Sequence, residues 1–311
     1  MKPTHLKNAL GRRAGRSVGR TALGAAMLGS AGLLPVLAQA GTMREQVEAY
    51  QAQLSARHGG PVQDAQPEVV GGKPAKDGRW PFMASLMEKR IADNFDSRFC
   101  GASLISKRDI LTAAHCITLT GATAKNTQVL VGTQDLTQGG RRINIASITV
   151  HPDWNEDTTD SDVAVIRLTE EVNDIEPVAF ATTLKEENKH AATGKPTWGM
   201  GWGSTQSNPP YPEKLLNVRL PIVDREVCNS SDSYDGAITN TMLCAGFKEG
   251  GKDTCGGDSG GPLVAKDSSG EFRLQVGVVS WGIGCAQPDL YGVYSRLAVL
   301  GPWVKDQVAK P

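Results

Sequence analysis

From Val69 onward the chain is a succession of short β-branched or alternating runs set between turn residues. Val129-Leu130-Val131, Ile143 to Val150, Val163 to Leu168, Val218 to Val223 and Leu274 to Ser280 are the clearest. Alternation buries one face of a strand, and connections this short join antiparallel neighbours, so the pattern predicts antiparallel sandwiches or barrels. The 35 glycines and 17 prolines fit a turn-rich chain. Asp267-Ser268-Ser269-Gly270 reads as a hairpin turn between two such strands. A charged, Gly-containing stretch, Leu184 to Pro196, divides the strand-rich region into two halves and reads as their connection. In the tail, Val299, Leu300, Trp303, Val304 and Val308 share one side and predict a terminal helix. A length of 311 residues allows one large domain or two small ones, at roughly 100–200 residues per domain.

The first 68 residues differ in kind. Residues 1–20 hold Lys2, Lys7, Arg12, Arg13, Arg16 and Arg20 and no acid. An uncharged stretch rich in Ala, Leu and Gly follows, Thr21 to Ala38, and the segment closes on Ala38-Gln39-Ala40. A basic start, an apolar middle and a small-x-small end make a secretory signal peptide over residues 1–40. The rival reading, a membrane anchor, is opposed by the short apolar run and by Pro35. Arg12-Arg13 raises a twin-arginine signal, although its flanking residues match poorly. Next, Met43, Val47, Tyr50 and Leu54 fall at helical spacing and predict a short amphipathic helix. His58 to Pro67 reads as a linker.

Export changes how the cysteines read. All six (Cys100, Cys116, Cys228, Cys244, Cys255 and Cys285) follow the leader, which predicts up to three disulfides in an oxidising compartment. No two of them are close enough in sequence to form a zinc-chelating hairpin. Fifteen pairings remain open at this point. Charge is equally informative. The whole chain has 33 basic and 33 acidic side chains, but residues 69–311 carry 25 and 29, a net of −4. That balance gives no support to a nucleic-acid partner.

Gly256-Gly257-Asp258-Ser259-Gly260-Gly261-Pro262 is the segment richest in chemistry. A serine hydroxyl is a poor nucleophile until a base takes its proton. Glycine on both sides permits a sharp turn and close approach of a substrate carbonyl. Successive N–H groups in such a turn can form an oxyanion hole. The segment also fits the G-x-S-x-G elbow of α/β-hydrolases, but that fold needs a histidine after the serine, and the last one is His190. Pro262 also leads into a strand-like Leu263-Val264 rather than a helix. The base therefore lies upstream. Of His115, His151 and His190, the small neighbours in Thr112-Ala113-Ala114-His115-Cys116 favour His115. Asp162, at the head of Ser161 to Leu168, is the candidate acid to orient it.

Together these residues resemble the chymotrypsin/trypsin family of serine proteases. The resemblance runs through Val69-Val70-Gly71-Gly72, Thr112 to Cys116, Asp162 to Leu168, Gly201-Trp202-Gly203, Asp253 to Pro262 and Ser280-Trp281-Gly282 to Tyr294. It implies an all-β fold of two six-stranded antiparallel β-barrels with a C-terminal helix. The expected divisions are a propeptide over 41–68 and a protease domain over 69–311. Within that domain the first barrel spans about 69–185, the second about 186–296, and the helix 297–311. The resemblance implies His115, Asp162 and Ser259 as catalytic residues and the N–H groups of Gly257 and Ser259 as oxyanion hole. It also implies the disulfides Cys100–Cys116, Cys228–Cys244 and Cys255–Cys285.

By the same resemblance Asp253 is the floor of the specificity pocket and selects Arg or Lys. Thr254 is an added hydrogen-bonding group there, Gly282 and Gly292 are pocket walls, and Trp281 holds the peptide upstream of the cut. Val69 is the residue whose freed amine would pair with Asp258 after cleavage. Glu68 precedes it, so an Arg/Lys-specific enzyme should not cut there, and a separate activating protease is expected. No metal or cofactor is expected. The loop after Gly132 reads Thr133-Gln134-Asp135, where calcium-binding trypsins place a glutamate, and no later Glu completes the set. Tyr291, by contrast, stands where sodium-regulated members carry an aromatic. The implied partners are Arg- or Lys-containing proteins, proteinaceous serine-protease inhibitors and the activating protease, with no nucleic acid and no membrane. The expected location is secreted, extracellular or periplasmic, and the simple leader without appended domains suggests a bacterial export system. The alternative function is a protease-fold binding protein without catalysis, whose usual sign is a missing catalytic residue.

Overall fold

The computed structural model describes residues 41–59, 72–204, 211–254 and 257–310. The leader, most of the linker, Glu68, Val69 to Gly71, Cys255 and Gly256 lie outside them. Helix α1 (Met43–Arg57) comes first. Thr42 and Glu45 cap it reciprocally, the Thr42 hydroxyl accepting from the Glu45 N–H and the Glu45 carboxylate from the Thr42 N–H. Its buried residues are the apolar positions read from the sequence: Met43, Val47, Tyr50 and Leu54.

The strands follow as β1 (Lys73–Pro74), β2 (Met83–Glu88), β3 (Arg98–Leu104), β4 (Asp109–Thr112), β5 (Thr127–Val131), β6 (Arg141–Val150), β7 (Ala164–Leu168), β8 (Ala179–Phe180), β9 (Pro196–Gly201), β10 (Leu216–Val223), β11 (Met242–Ala245), β12 (Pro262–Lys266), β13 (Phe272–Trp281) and β14 (Gly292–Arg296). Between and after them lie helices α2 (Asn94–Ser97), α3 (His115–Thr118), α4 (Leu184–His190), α5 (Arg225–Cys228) and α6 (Leu297–Val308). The first barrel closes in the order β2-β3-β4-β7-β6-β5, every pair antiparallel. The second closes through β9-β10-β11-β14-β13-β12 and back to β9. The fold is two closed six-stranded antiparallel β-barrels with a C-terminal helix.

Burial follows the surroundings of each strand. β6 alternates, with Ile143 and Ile145 inside and their neighbours toward solvent. β2, β3 and β4 are buried on both faces. β3 meets the second barrel, where the Ser103 hydroxyl donates to the Gln275 side chain at 2.7 Å. One apolar cluster runs through both barrels and includes Leu86, Ile166, Leu220 and Val278.

The chain also crosses between barrels at its ends. β1 pairs with β10, and β8 pairs in parallel with β13, so both edges of the first stretch sit on the second sheet. In return α6 reaches the first barrel. The Arg167 guanidinium donates to the carbonyls of Gln307, Val308 and Lys310 while its Nε binds the buried Asp109 carboxylate at 2.9 Å. The connection Leu184 to Pro196 contains a helix, α4, capped by Thr183 and joined to the body through Glu187 and Arg296. His58, expected in a linker, instead stacks its ring on Trp281 at 4.9 Å.

Candidate active site

His115 begins α3 and is fully buried. Its backbone N–H donates to Asp162 Oδ1 at 2.9 Å, and its Nδ1 pairs with Asp162 Oδ2 at 2.7 Å. The Ser280 hydroxyl, at the end of β13, donates to the same Oδ2 at 2.6 Å. Three donors thus converge on one buried carboxylate and fix the imidazole from below. Ser295 adds a fourth tie, its hydroxyl donating to the Asp162 carbonyl at 2.6 Å. The Cys100–Cys116 disulfide holds α3 to β3 beside the histidine, and Cys228–Cys244 ties α5 to β11. Cys285 is disulfide-bonded, and its expected partner Cys255 lies outside the described residues. The sulfurs of Cys100 and Cys116 near His115 are joined to each other and so are not metal ligands.

Ser259 occupies a tight turn leading into β12. Its carbonyl accepts from the Gly101 N–H at 2.8 Å, and the Gly260 N–H donates to the Val279 carbonyl at 2.9 Å. Gly260 has φ of +82°, and a Cβ there would lie 2.3 Å from the Thr112 hydroxyl, so only glycine fits. Asp258 is buried with Oδ1 accepting from the Gly203 N–H at 2.7 Å. Arg98 lies under the same turn, buried, and donates to the Gly257 carbonyl at 2.9 Å. The described residues show no hydrogen bond between His115 and Ser259. The Ser259 hydroxyl instead accepts from Gln51 Nε2 of α1 at 3.4 Å.

The family model for Trypsin matches residues 69–304. The chain belongs to the trypsin family of serine proteases. Its relatives include Trypsin 5G1 of Aedes aegypti, 39% identical over 238 residues that cover 76% of this chain and 84% of that one. Transmembrane protease serine 11C of Mus musculus is 36% identical over 242 residues, and Transmembrane protease serine 5 of Homo sapiens is 37% identical over 242. Each of those matches covers 76% of this chain, but only 53% of the mouse protein and 51% of the human one. These relatives are insect and mammalian, and they give no support to the expected bacterial source. No helix of the described residues is long and apolar enough to cross a membrane.

A second group of expected site residues includes Asp253. This carboxylate is buried, and burial pushes its pKa up to about 7. Oδ2 accepts from the Ala286 N–H at 3.2 Å, whereas Oδ1 has no partner among the described residues. A Cβ on Gly292 would stand 2.6 Å from that free oxygen. Gly282 is roomier, the nearest atom to a Cβ added there being the Tyr234 hydroxyl at 3.7 Å. The Thr254 hydroxyl pairs with the Tyr294 hydroxyl at 2.9 Å. Trp281 is buried between the rings of Tyr234 and His58. The Tyr291 carbonyl accepts from the Tyr234 hydroxyl. Sequence reasoning missed Ser280 and Arg98 as site residues. Ser280 lies in the quoted Ser280-Trp281-Gly282 motif, so a signal was there; a basic residue on a strand carries none.

Proposed function

We propose that the chain is a secreted serine endopeptidase made as an inactive precursor, which hydrolyses peptide bonds after Arg or Lys. The observation that carries the specificity is Asp253: a buried carboxylate with one oxygen unpartnered among the described residues, beside Gly292, is stabilised by a cation entering from the substrate. The catalytic reading rests on the His115–Asp162 pair and on Ser259, with the His115 Nε2 and the Ser259 carbonyl each 3.7 Å from Cys116 Sγ.

In the proposed reaction His115 takes the Ser259 proton as its oxygen attacks the scissile carbonyl carbon. Asp162 holds the imidazole in the required tautomer and stabilises the imidazolium. The N–H groups of Gly257 and Ser259 stabilise the developing oxyanion. His115 then protonates the leaving amine, which departs and leaves an acyl-Ser259 ester. Water, deprotonated by His115, attacks the ester carbonyl. His115 then returns the proton to the Ser259 oxygen as its bond to the acyl carbon breaks and the acid product leaves.

Turnover of a chromogenic Arg-amide by the enzyme beginning at Val69, lost on Ser259→Ala, is the expected result. No turnover from correctly exposed Val69 would favour a binding protein with a protease fold. Activation is assigned to a different, Glu-tolerant protease cutting between Glu68 and Val69. Ser259→Ala precursor that slowly exposes Val69 by itself would refute the need for one. Catalysis is assigned no metal or cofactor. A sodium effect through the Tyr291 loop would appear as unequal rates in sodium and choline chloride.

A further inference from the structure

α1 lies across the site just described. Tyr50 stacks its ring on His115, centroids 5.6 Å apart, and its hydroxyl donates to the Glu156 carbonyl at 3.2 Å. Gln51 Nε2 donates to the Ser280 carbonyl at 2.8 Å as well as to the Ser259 hydroxyl. Leu54 is buried in one apolar cluster with Trp281, Ile283 and Tyr291. Beyond it the Ser55 hydroxyl accepts from the Gly284 N–H at 3.3 Å, and His58 covers Trp281. At the other end Met43 and Val47 join the cluster that runs through the barrels. There Arg44 donates to the carbonyls of Phe95 and Arg98, and Glu48 accepts from the Tyr211 hydroxyl.

Two features separate this segment from a substrate. First, its C-terminal end rests on Trp281, the position expected to hold residues N-terminal to a scissile bond. The helix therefore runs in the reverse direction to a productive peptide. Second, the side chain over Ser259 is Gln51, and the segment's cations, Arg44 and Arg57, are at its ends. Arg44 is tied to backbone carbonyls, and Arg57 faces Asp157 at the surface. Neither is bonded to Asp253. Beneath the helix the His115–Asp162 pair is intact. The segment covers an assembled acid–base pair rather than dismantling it.

We propose that residues 41–59 are a self-inhibitor that remains bound after the Glu68–Val69 bond is cut, so that activity appears only when the helix dissociates. This rests on the protease reading above. While tethered, a segment on a short linker has an effective concentration in the millimolar range; once cut, it binds as a separate molecule and obeys mass action.

The test uses the full precursor with Asp64 to Glu68 replaced by the recognition sequence of a site-specific protease that cuts directly before Val69. After cutting, co-elution of the released segment with the body is measured by size exclusion and mass spectrometry. Arg-amide turnover is measured across dilution. The wild-type segment is expected to co-elute at micromolar concentration. Specific activity should rise by on the order of tenfold or more between micromolar and nanomolar protein. Tyr50→Ala with Leu54→Ala leaves the mature chain unchanged in sequence, and it should abolish both co-elution and the dilution effect. Gln51→Ala serves as the milder variant should the double one fold poorly, with activity appearing at higher protein concentration. Full activity of the cut wild type at micromolar concentration, with no co-elution, would overturn self-inhibition and leave the protease reading intact. No turnover from any form at any dilution would overturn both, whatever the co-elution shows.

Discussion

Burial sets the ionisation of Asp253. Its folded-state pKa of about 7 lies above the ordinary carboxylate value of 3.8, and burial is the main cause. Protons therefore favour the folded state between those two values. The carboxylate's destabilising effect is fully present above pH 7 and vanishes below about pH 4. Asp253→Asn should raise the melting temperature more at pH 8 than at pH 4, read by calorimetry at both; an equal shift would refute a buried, strained carboxylate. Under the proposed specificity, the same protonation weakens the hold on a substrate cation. The kcat/KM ratio of an Arg substrate to a Leu substrate, which cancels steps common to both, should fall as pH drops below 7. At this scale much was legible in the sequence: His115 by its small neighbours, Ser259 by its glycines. Arg98 was not, because its role depends on the Gly257 carbonyl, brought to it by folding from a distant part of the chain.

At the scale of the element, the glycines of β9 and the loop after it hold Asp258 in place. A Cβ on Gly201 would lie 2.0 Å from Asp258 Oδ1, and one on Gly203 would lie 2.5 Å from its Cγ. Gly203→Ala should destabilise the fold by about 1–3 kcal/mol, through the clash and the displaced N–H donor. Denaturant unfolding with an unchanged m-value checks this. β7 and β13, buried almost throughout, were legible as β-branched runs, whereas β2, β3 and β4, buried on both faces, offer no alternation. β6 could be read from alternation because it has one inward face. α1 could be read for the same reason, its four apolar residues supplying a stripe. α4 could not. Its seven residues are mostly charged, and a short helix fixed by a Thr183 cap and a Glu187–Arg296 pair leaves no apolar period. The strand β8 was also invisible, since two residues cannot alternate enough to be recognised.

At the scale of the molecule, the barrels share one core, so they should unfold together. Calorimetry of the enzyme from Val69 should give a single transition, with matching calorimetric and van't Hoff enthalpies; two resolved peaks would contradict it. Removing Cys100 and Cys116 together should lower that transition, since the loop they close is worth about 3 kcal/mol in the chain-entropy model. The exchange of ends between barrels has a further meaning. β1 is lent by the first stretch of chain to the second sheet, and α6 is returned by the second to Arg167 of the first. Each half therefore finishes its surface with material encoded in the other. Two polypeptides divided within the α4 connection would each emerge from a ribosome incomplete, yet each would carry the piece that recognises its counterpart. Co-expressed, the two pieces should associate, and recovery of the proposed Arg-amide turnover would report their reassembly.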